Sequence, residues 1–256
     1  MSELLELSSV SKRYRRGSQQ LNVLREVSLT VSAGEVLGVI GVRRQGKTTL
    51  LRIAAGIEAA DAGGVCFEGQ QLAALSDRNL ARLLGGRIAW AGRTGPAMRM
   101  RIVDYVAMPL LVSRGFGRRR ARRGVYMQAC DALERVGAAD CADQYWDDLS
   151  DWERALVEIA QGIAGAPSLL LTDDLTDALG VRETDEVTAL LRSLARESSL
   201  GVLMTASDAQ AMLWADQIVV LAGGRLTQGP RSATGNVIEF PDLGLQRRDV
   251  RRDGVS

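Results

Sequence analysis

Gly41-Val42-Arg43-Arg44-Gln45-Gly46-Lys47-Thr48 lies between the apolar run Glu35-Val36-Leu37-Gly38-Val39-Ile40 and a helical pattern from about Lys47 to Ala55. The octet fits GxxxxGK[ST]. In such a loop, backbone N–H groups and a helix N-terminus surround phosphate, the lysine reaches the terminal phosphates, and the hydroxyl holds magnesium. A chance match in a chain of this length is roughly a one-per-cent event when glycine is near 7% of residues. Strand, loop and helix also follow in the order a phosphate site needs, against the alternative of an ordinary surface turn. Lysine usage argues the same way. Of 32 basic residues only Lys12 and Lys47 are lysine, so an indiscriminate basic residue at position 47 is lysine about one time in sixteen by that count.

On the N-terminal side, Leu4-Leu5-Glu6-Leu7-Ser8-Ser9-Val10 and Val27-Ser28-Leu29-Thr30-Val31 alternate apolar and polar positions, which predicts short antiparallel strands with a turn at Ser32-Ala33-Gly34. On the C-terminal side the pattern turns helical from about Ala91 to Gly165. Ile102, Tyr105, Val106 and Pro109-Leu110-Leu111 are spaced along one helix, and Met127, Cys130, Leu133 and Val136 along another. Then follow a buried strand (Ser168 to Asp173), an amphipathic helix (Val187, Leu190, Leu191, Leu194), a strand (Val202 to Thr205) and a strand pair around Gln217 to Gln228. Strands alternating with helices predict an α/β fold with a mostly parallel sheet. The stretch from Arg231 reads as a loosely held tail, and there are no internal repeats.

The 256 residues suffice for one large domain, or for one with an inserted subdomain. A net charge of +1 predicts no broad nucleic-acid field. Apolar runs such as Ser168-Leu169-Leu170-Leu171 fall far short of the ~18 residues a membrane span needs, and the acidic start Met1-Ser2-Glu3 does not resemble a secretion signal. Any membrane role is therefore expected to come through another chain. Cys66, Cys130 and Cys141 lack CxxC spacing and read as reduced, structural thiols. There is no histidine, so imidazole serves nowhere as ligand, base or phosphate sensor.

A magnesium-bound nucleotide needs a second acidic anchor, and Leu169-Leu170-Leu171-Thr172-Asp173-Asp174 offers Asp173 at a strand end. A helix cap or turn explains an Asp-Asp pair equally well when it is taken alone. Other segments stand in fixed order around it. Val10-Ser11-Lys12-Arg13-Tyr14 precedes the loop, Asp148-Leu149-Ser150-Asp151-Trp152-Glu153-Arg154 precedes a helix expected over Ala155 to Ala164, and Asp174-Leu175-Thr176-Asp177-Ala178-Leu179 follows Asp173. With these parts the sequence resembles the ABC ATPase family over roughly residues 3 to 230.

That resemblance implies an α/β P-loop NTPase core with a mostly parallel sheet, an N-terminal antiparallel β subdomain and an inserted α-helical subdomain. The expected bounds are 1–90 with 166–230 for the core, 91–165 for the helical subdomain with its altered signature, and 231–256 for the tail. It implies ATP and Mg2+ as cofactors. Nucleotide would be bound by Tyr14 stacking on adenine, by Gly41, Arg43, Arg44, Gln45, Gly46, Lys47, Thr48 and Thr49, and by Ser150 across a subunit pair; the metal would be held by Thr48 and Asp173. It implies transmembrane permease subunits as partners, a peripheral location at the cytoplasmic face of the membrane through those subunits, and no nucleic acid. Residues 72–82 and 102–111 look like the lipoprotein-release, macrolide-export and cell-division branch.

The departures from the family pattern fall on hydrolysis. Asp174 replaces the water-orienting glutamate, Ser207 the histidine near the terminal phosphate, and Arg93 the glutamine that senses magnesium and water. Asp151 and Trp152 replace both signature glycines, Gly180 an aspartate, and Arg44 a glycine of the phosphate loop, where backbone strain is expected. One carboxylate shortened by a methylene, displaced by about 1 Å, costs around a hundredfold in rate. The expectation is a subunit that binds nucleotide but hydrolyses it weakly, and that pairs with a different, more conventional ATPase chain. The alternative is a regulatory module in which ATP binding alone switches a membrane partner. A translation or DNA-repair role lacks a second ATPase unit and a long coiled-coil run. The run Arg118-Arg119-Arg120 with Arg122-Arg123 reads first as a solvated helix face in an arginine-rich chain, with recognition of acidic lipid or an acidic partner loop as the alternative. The doublets Arg247-Arg248 and Arg251-Arg252 alternate with Asp249 and Asp253.

Overall fold

The structure is a computed structural model that describes residues 3–17, 19–114, 119–212 and 214–228. The expected tail and its arginine doublets lie outside the described residues, as do the side chains of most of the arginine run at 118–123.

The N-terminal segment is two long strands, β1 (Glu3–Arg16) and β2 (Gln19–Ser32), rather than several short ones. The alternation breaks at Ser9 and Glu26, both with φ of 51°, where the register between the strands shifts. The backbone N–H of Ser9 donates to Ser28 Oγ and that of Glu26 to Ser11 Oγ. Serine hydroxyls thus satisfy groups that bulges take out of the ladder, and the strands continue past them.

Next come β3 (Val36–Ile40), α1 (Lys47–Ala54), β4 (Ala62–Phe67), β5 (Gln70–Gln71), α2 (Asp77–Leu84) and β6 (Ile88–Ala91). The helical run starts at Ile102, not at Ala91, with α3 (Ile102–Arg114), α4 (Arg119–Arg135) and α5 (Asp151–Ile163). The chain then forms β7 (Leu169–Thr172), α6 (Val181–Ser198), β8 (Gly201–Ala206), β9 (Gln217–Ala222) and β10 (Arg225–Gln228).

One sheet has the order β2-β1-β4-β5 and is antiparallel throughout; the other has the order β10-β9-β3-β8-β7-β6 and is parallel except for the edge pair β9–β10. The parallel strands β3, β7 and β8 are buried along their whole length, because helices cover one face of their sheet and the antiparallel sheet with α1 covers the other. One core joins the faces of α3, α4, α5 and α6 to the parallel sheet; the second joins Leu50, Leu51 and Ile53 of α1 to Leu5, Leu7 and Val27 of the antiparallel sheet. The crossovers bring the carboxyl ends of β3, β8, β7 and β6 side by side, the edge where open α/β sheets bind ligands.

Candidate functional site

Each of those strands delivers one part. β3 leads into the loop 41–46 and α1, β8 into Ser207, β7 into Asp173 and Asp174, and β6 into Gly92 and Arg93. Gly46 has φ of +100°, and a Cβ there would lie 2.6 Å from Val23 Cγ1, so only glycine takes this turn. At Gly41 a Cβ would meet the Leu221 carbonyl oxygen at 2.9 Å. Arg44 takes φ of +68° without being glycine, which is the strain its position predicts.

The N-terminus of α1 has no side-chain cap and no acidic residue in its first turn. Its free N–H groups and dipole therefore favour an anion supplied from outside the helix. Lys47 is 4% exposed and donates to the Gly41 carbonyl at 2.6 Å and to Ser207 Oγ at 2.9 Å. Its Nζ also stands 3.4 Å from Asp174 Oδ1. Thr48 Oγ1 donates to Asp173 Oδ2 at 2.8 Å, and Thr205 Oγ1 donates to the other oxygen, Oδ1, at 3.1 Å. An open cavity of about 220 Å3 is lined by Arg44, Gly46, Lys47, Thr48, Thr49 and Asp174, among others.

These residues fit a magnesium nucleotide. Backbone donors and Lys47 would take the phosphates, and Thr48 with Asp173 would take the metal. Magnesium binds through one or two protein oxygens plus phosphates and water, and bound there it would neutralise phosphate charge. Among the described residues no cluster of three His, Cys, Asp or Glu could hold a metal by itself.

Asp174 occupies a strained backbone, φ 47°, with its N–H bonded to Thr205 Oγ1. Burial raises its carboxyl above the ordinary range; Lys47 opposes this, and Asp177 and Asp173 push it further up. A carboxylate paired with Lys47 is held to the cation that should meet the phosphates. Ser207, besides accepting from Lys47, donates to Asp177 Oδ2 at 3.4 Å, and Arg43 Nη2 lies 3.5 Å from the same oxygen.

Tyr14 stands at the end of β1 beside α1. Its hydroxyl donates to Glu58 and lies 3.5 Å from Thr49 Oγ1, while Lys12 Nζ is 5.5 Å from the ring centre. Tyr14 is 38% exposed as a residue, so it offers area to a flat ligand next to the loop.

Two expected residues stand elsewhere. Arg93 follows β6, three strands from β3 and so about 14 Å along the sheet. It lines a separate cavity of about 110 Å3 with Trp146, Asp151, Arg154, Glu158 and Leu175. What holds its loop there is Glu158, which sequence reasoning missed. Glu158 is 3% exposed and accepts from the N–H groups of Gly92 and Gly95 and from the Tyr105 hydroxyl. Burial raises its carboxyl above the ordinary range despite those donors. One ionisable residue in the apolar run Leu156-Val157-Glu158-Ile159-Ala160 was the available signal. Ser150 caps α5, which begins at Asp151 instead of Ala155. Its hydroxyl donates to Glu153 Oε2 at 2.8 Å and its N–H donates to the same oxygen at 2.8 Å. Ser150, expected to meet nucleotide across a subunit pair, is bound here by its own helix.

A family model described as ABC transporter matches residues 24–177. The chain belongs to the ABC transporter ATP-binding family. Similar curated proteins include Methionine import ATP-binding protein MetN 2 of Rhodococcus jostii, 34% identical over 230 residues, 89% of this chain and 66% of that protein. Another is Methionine import ATP-binding protein MetN of Nocardia farcinica, 33% identical over 255 residues, 95% of this chain and 74% of the relative. This chain thus spans about two thirds to three quarters of their lengths. Among solved structures, the dimeric structure of MJ0796, a bacterial ABC transporter cassette, superposes with a TM-score of 0.80 at 22% identity, covering 90% of this chain and 99% of that one. The post-hydrolysis dimer of the same cassette bound to ADP and Pi gives 0.79 at 22% identity, with the same coverage. At such identity these two ABC cassettes speak for the fold. The relatives correct the branch: they carry the name of methionine import, not of lipoprotein release, macrolide export or cell division.

Proposed function

We propose that this ABC subunit binds Mg-ATP at Lys47, Thr48 and Asp173, works at the cytoplasmic face of the membrane beneath permease subunits, and hydrolyses nucleotide weakly at its own site. The observation that carries the reading is the contrast within one site. The uncapped start of α1 keeps its lysine, hydroxyl and acidic anchor, while Asp174, in the place of the catalytic glutamate, is paired with Lys47. The names of the relatives suggest the transporter class, an importer of methionine or a similar amino acid.

Weak hydrolysis motivates pairing with a second ATPase chain whose glutamate and signature are intact. Native purification from membranes tests this. The expected complex contains permease chains, this subunit and a different ATPase subunit; a complex with two copies of this chain as its only ATPase would refute the mixed pair. A second reading, a module in which binding alone switches the permease, is favoured by the bonds that tie Lys47, Ser207 and Asp177 together. It requires that nucleotide alter those bonds without being cleaved.

A further inference from the structure

We infer that Arg43 and Asp177 form the contact through which this protein registers nucleotide in its phosphate loop. Arg43, paired with Asp177 here, exchanges that carboxylate for a phosphate when nucleotide enters, and the turn at 174–179 is released. The inference rests on the proposed binding of nucleotide at Lys47.

The two partners are unequal. The Asp177 side chain is 9% exposed and that of Arg43 is 73% exposed, so the carboxylate is the fixed member and the guanidinium the loose end. Position 43 is a free position of the loop pattern, and an arginine there is placed to meet either anion. Asp177 is tied at its other side to Ser207, which accepts from Lys47. Its backbone N–H bonds to the Asp174 carbonyl at 3.2 Å, so the carboxylates that hold Lys47 and Arg43 belong to one turn. Both cations that a triphosphate would draw away thus restrain the same short segment. Leu175 and Ala178 on that segment form a wall of the cavity shared with Trp146 and Glu158. Release at Arg43 and Lys47 is thereby felt beside α5, with no bond in the nucleotide broken. A pair whose cation is this exposed is a suitable latch, since solvent-screened pairs hold by at most about fivefold in an equilibrium and a multivalent anion overcomes that readily.

Titration calorimetry of the full chain with Mg-ADP, which leaves no terminal phosphate to cleave, tests the exchange. Asp177→Asn should tighten binding about two- to fivefold, the worth of an ion pair screened on its cation side, and the gain should vanish when Arg43→Gln is present, because interaction between the two changes marks direct coupling. Emission from Trp146, read against Trp146→Phe, should change with Mg-ADP in the unaltered chain and not in Asp177→Asn. Equal tightening with and without Arg43 would mean bulk charge alone and would overturn the inference, as would unchanged or weaker binding by Asp177→Asn. If the unaltered chain and Lys47→Ala both fail to bind Mg-ADP, the nucleotide-binding reading itself fails.

Discussion

Lys47 and Arg44 stand three positions apart in one loop and carry opposite messages. Lys47 is buried and donates to the Gly41 carbonyl and Ser207 Oγ, and a compact ammonium there is not interchangeable with the planar guanidinium this chain uses elsewhere. Arg44 sits at φ +68°, where a side chain is a liability of about 1 kcal/mol. Comparing Arg44→Gly with Arg44→Ala removes the side chain in both and the strain in one. The glycine variant should be the more stable of the two by about 0.5–1 kcal/mol in urea unfolding, after the extra freedom glycine has when unfolded. Lys47, Thr48 and Asp173 were legible in the sequence because their pattern is local to a strand end. Thr205 and Glu158 were not. Each acts on residues distant in the chain, Thr205 on Asp173 and Asp174, Glu158 on Gly92 and Gly95, and such meetings depend on strand order and helix packing.

Among the elements, α5 begins where the resemblance expects an altered signature. Asp151 and Trp152 open a helix whose cap is Ser150 and whose capping box is closed by Glu153. The backbone N–H of Ser150, then its hydroxyl, hold the Glu153 carboxyl below its ordinary value, with burial opposing. A carboxylate so depressed contributes stability above its unfolded value of 4.5, and that contribution is lost as pH falls through the lower folded value. Glu153→Ala, which removes the acceptor of the capping box, should therefore cost about 1 kcal/mol at pH near 7, with the gap to the unaltered chain narrowing on acidification. Urea midpoints at several pH values would read this, and a gap constant with pH would refute the assignment. The strands show the opposite limit of sequence reading. Alternation located β1 and β2, but the bulges at Ser9 and Glu26 looked like strand ends, since a register slip hides the continuing ladder.

At the scale of the whole molecule, strand order decides which altered residues share a site. Ser207 and Asp174 follow β8 and β7, one and two strands from β3, and they reach Lys47; Arg93 follows β6, three strands away, and its loop is held by Glu158 of α5. The alternation of strands and helices made a parallel sheet legible, whereas the order of its strands is set by crossovers that hydropathy does not record. The proposed function is that of a protein that holds a magnesium nucleotide at Lys47, Thr48 and Asp173 while Asp174 and Asp177 pair with its own cations Lys47 and Arg43. Binding and turnover of Mg-ATP by the purified chain, beside Lys47→Ala, tests that most directly. The account predicts binding that Lys47→Ala weakens about 10- to 100-fold, the worth of charge-assisted bonds to phosphate, with phosphate release roughly a hundredfold or more below ordinary turnover. Turnover at about 1 s⁻¹ or faster, the range of ordinary enzymes, abolished by Lys47→Ala, would contradict it.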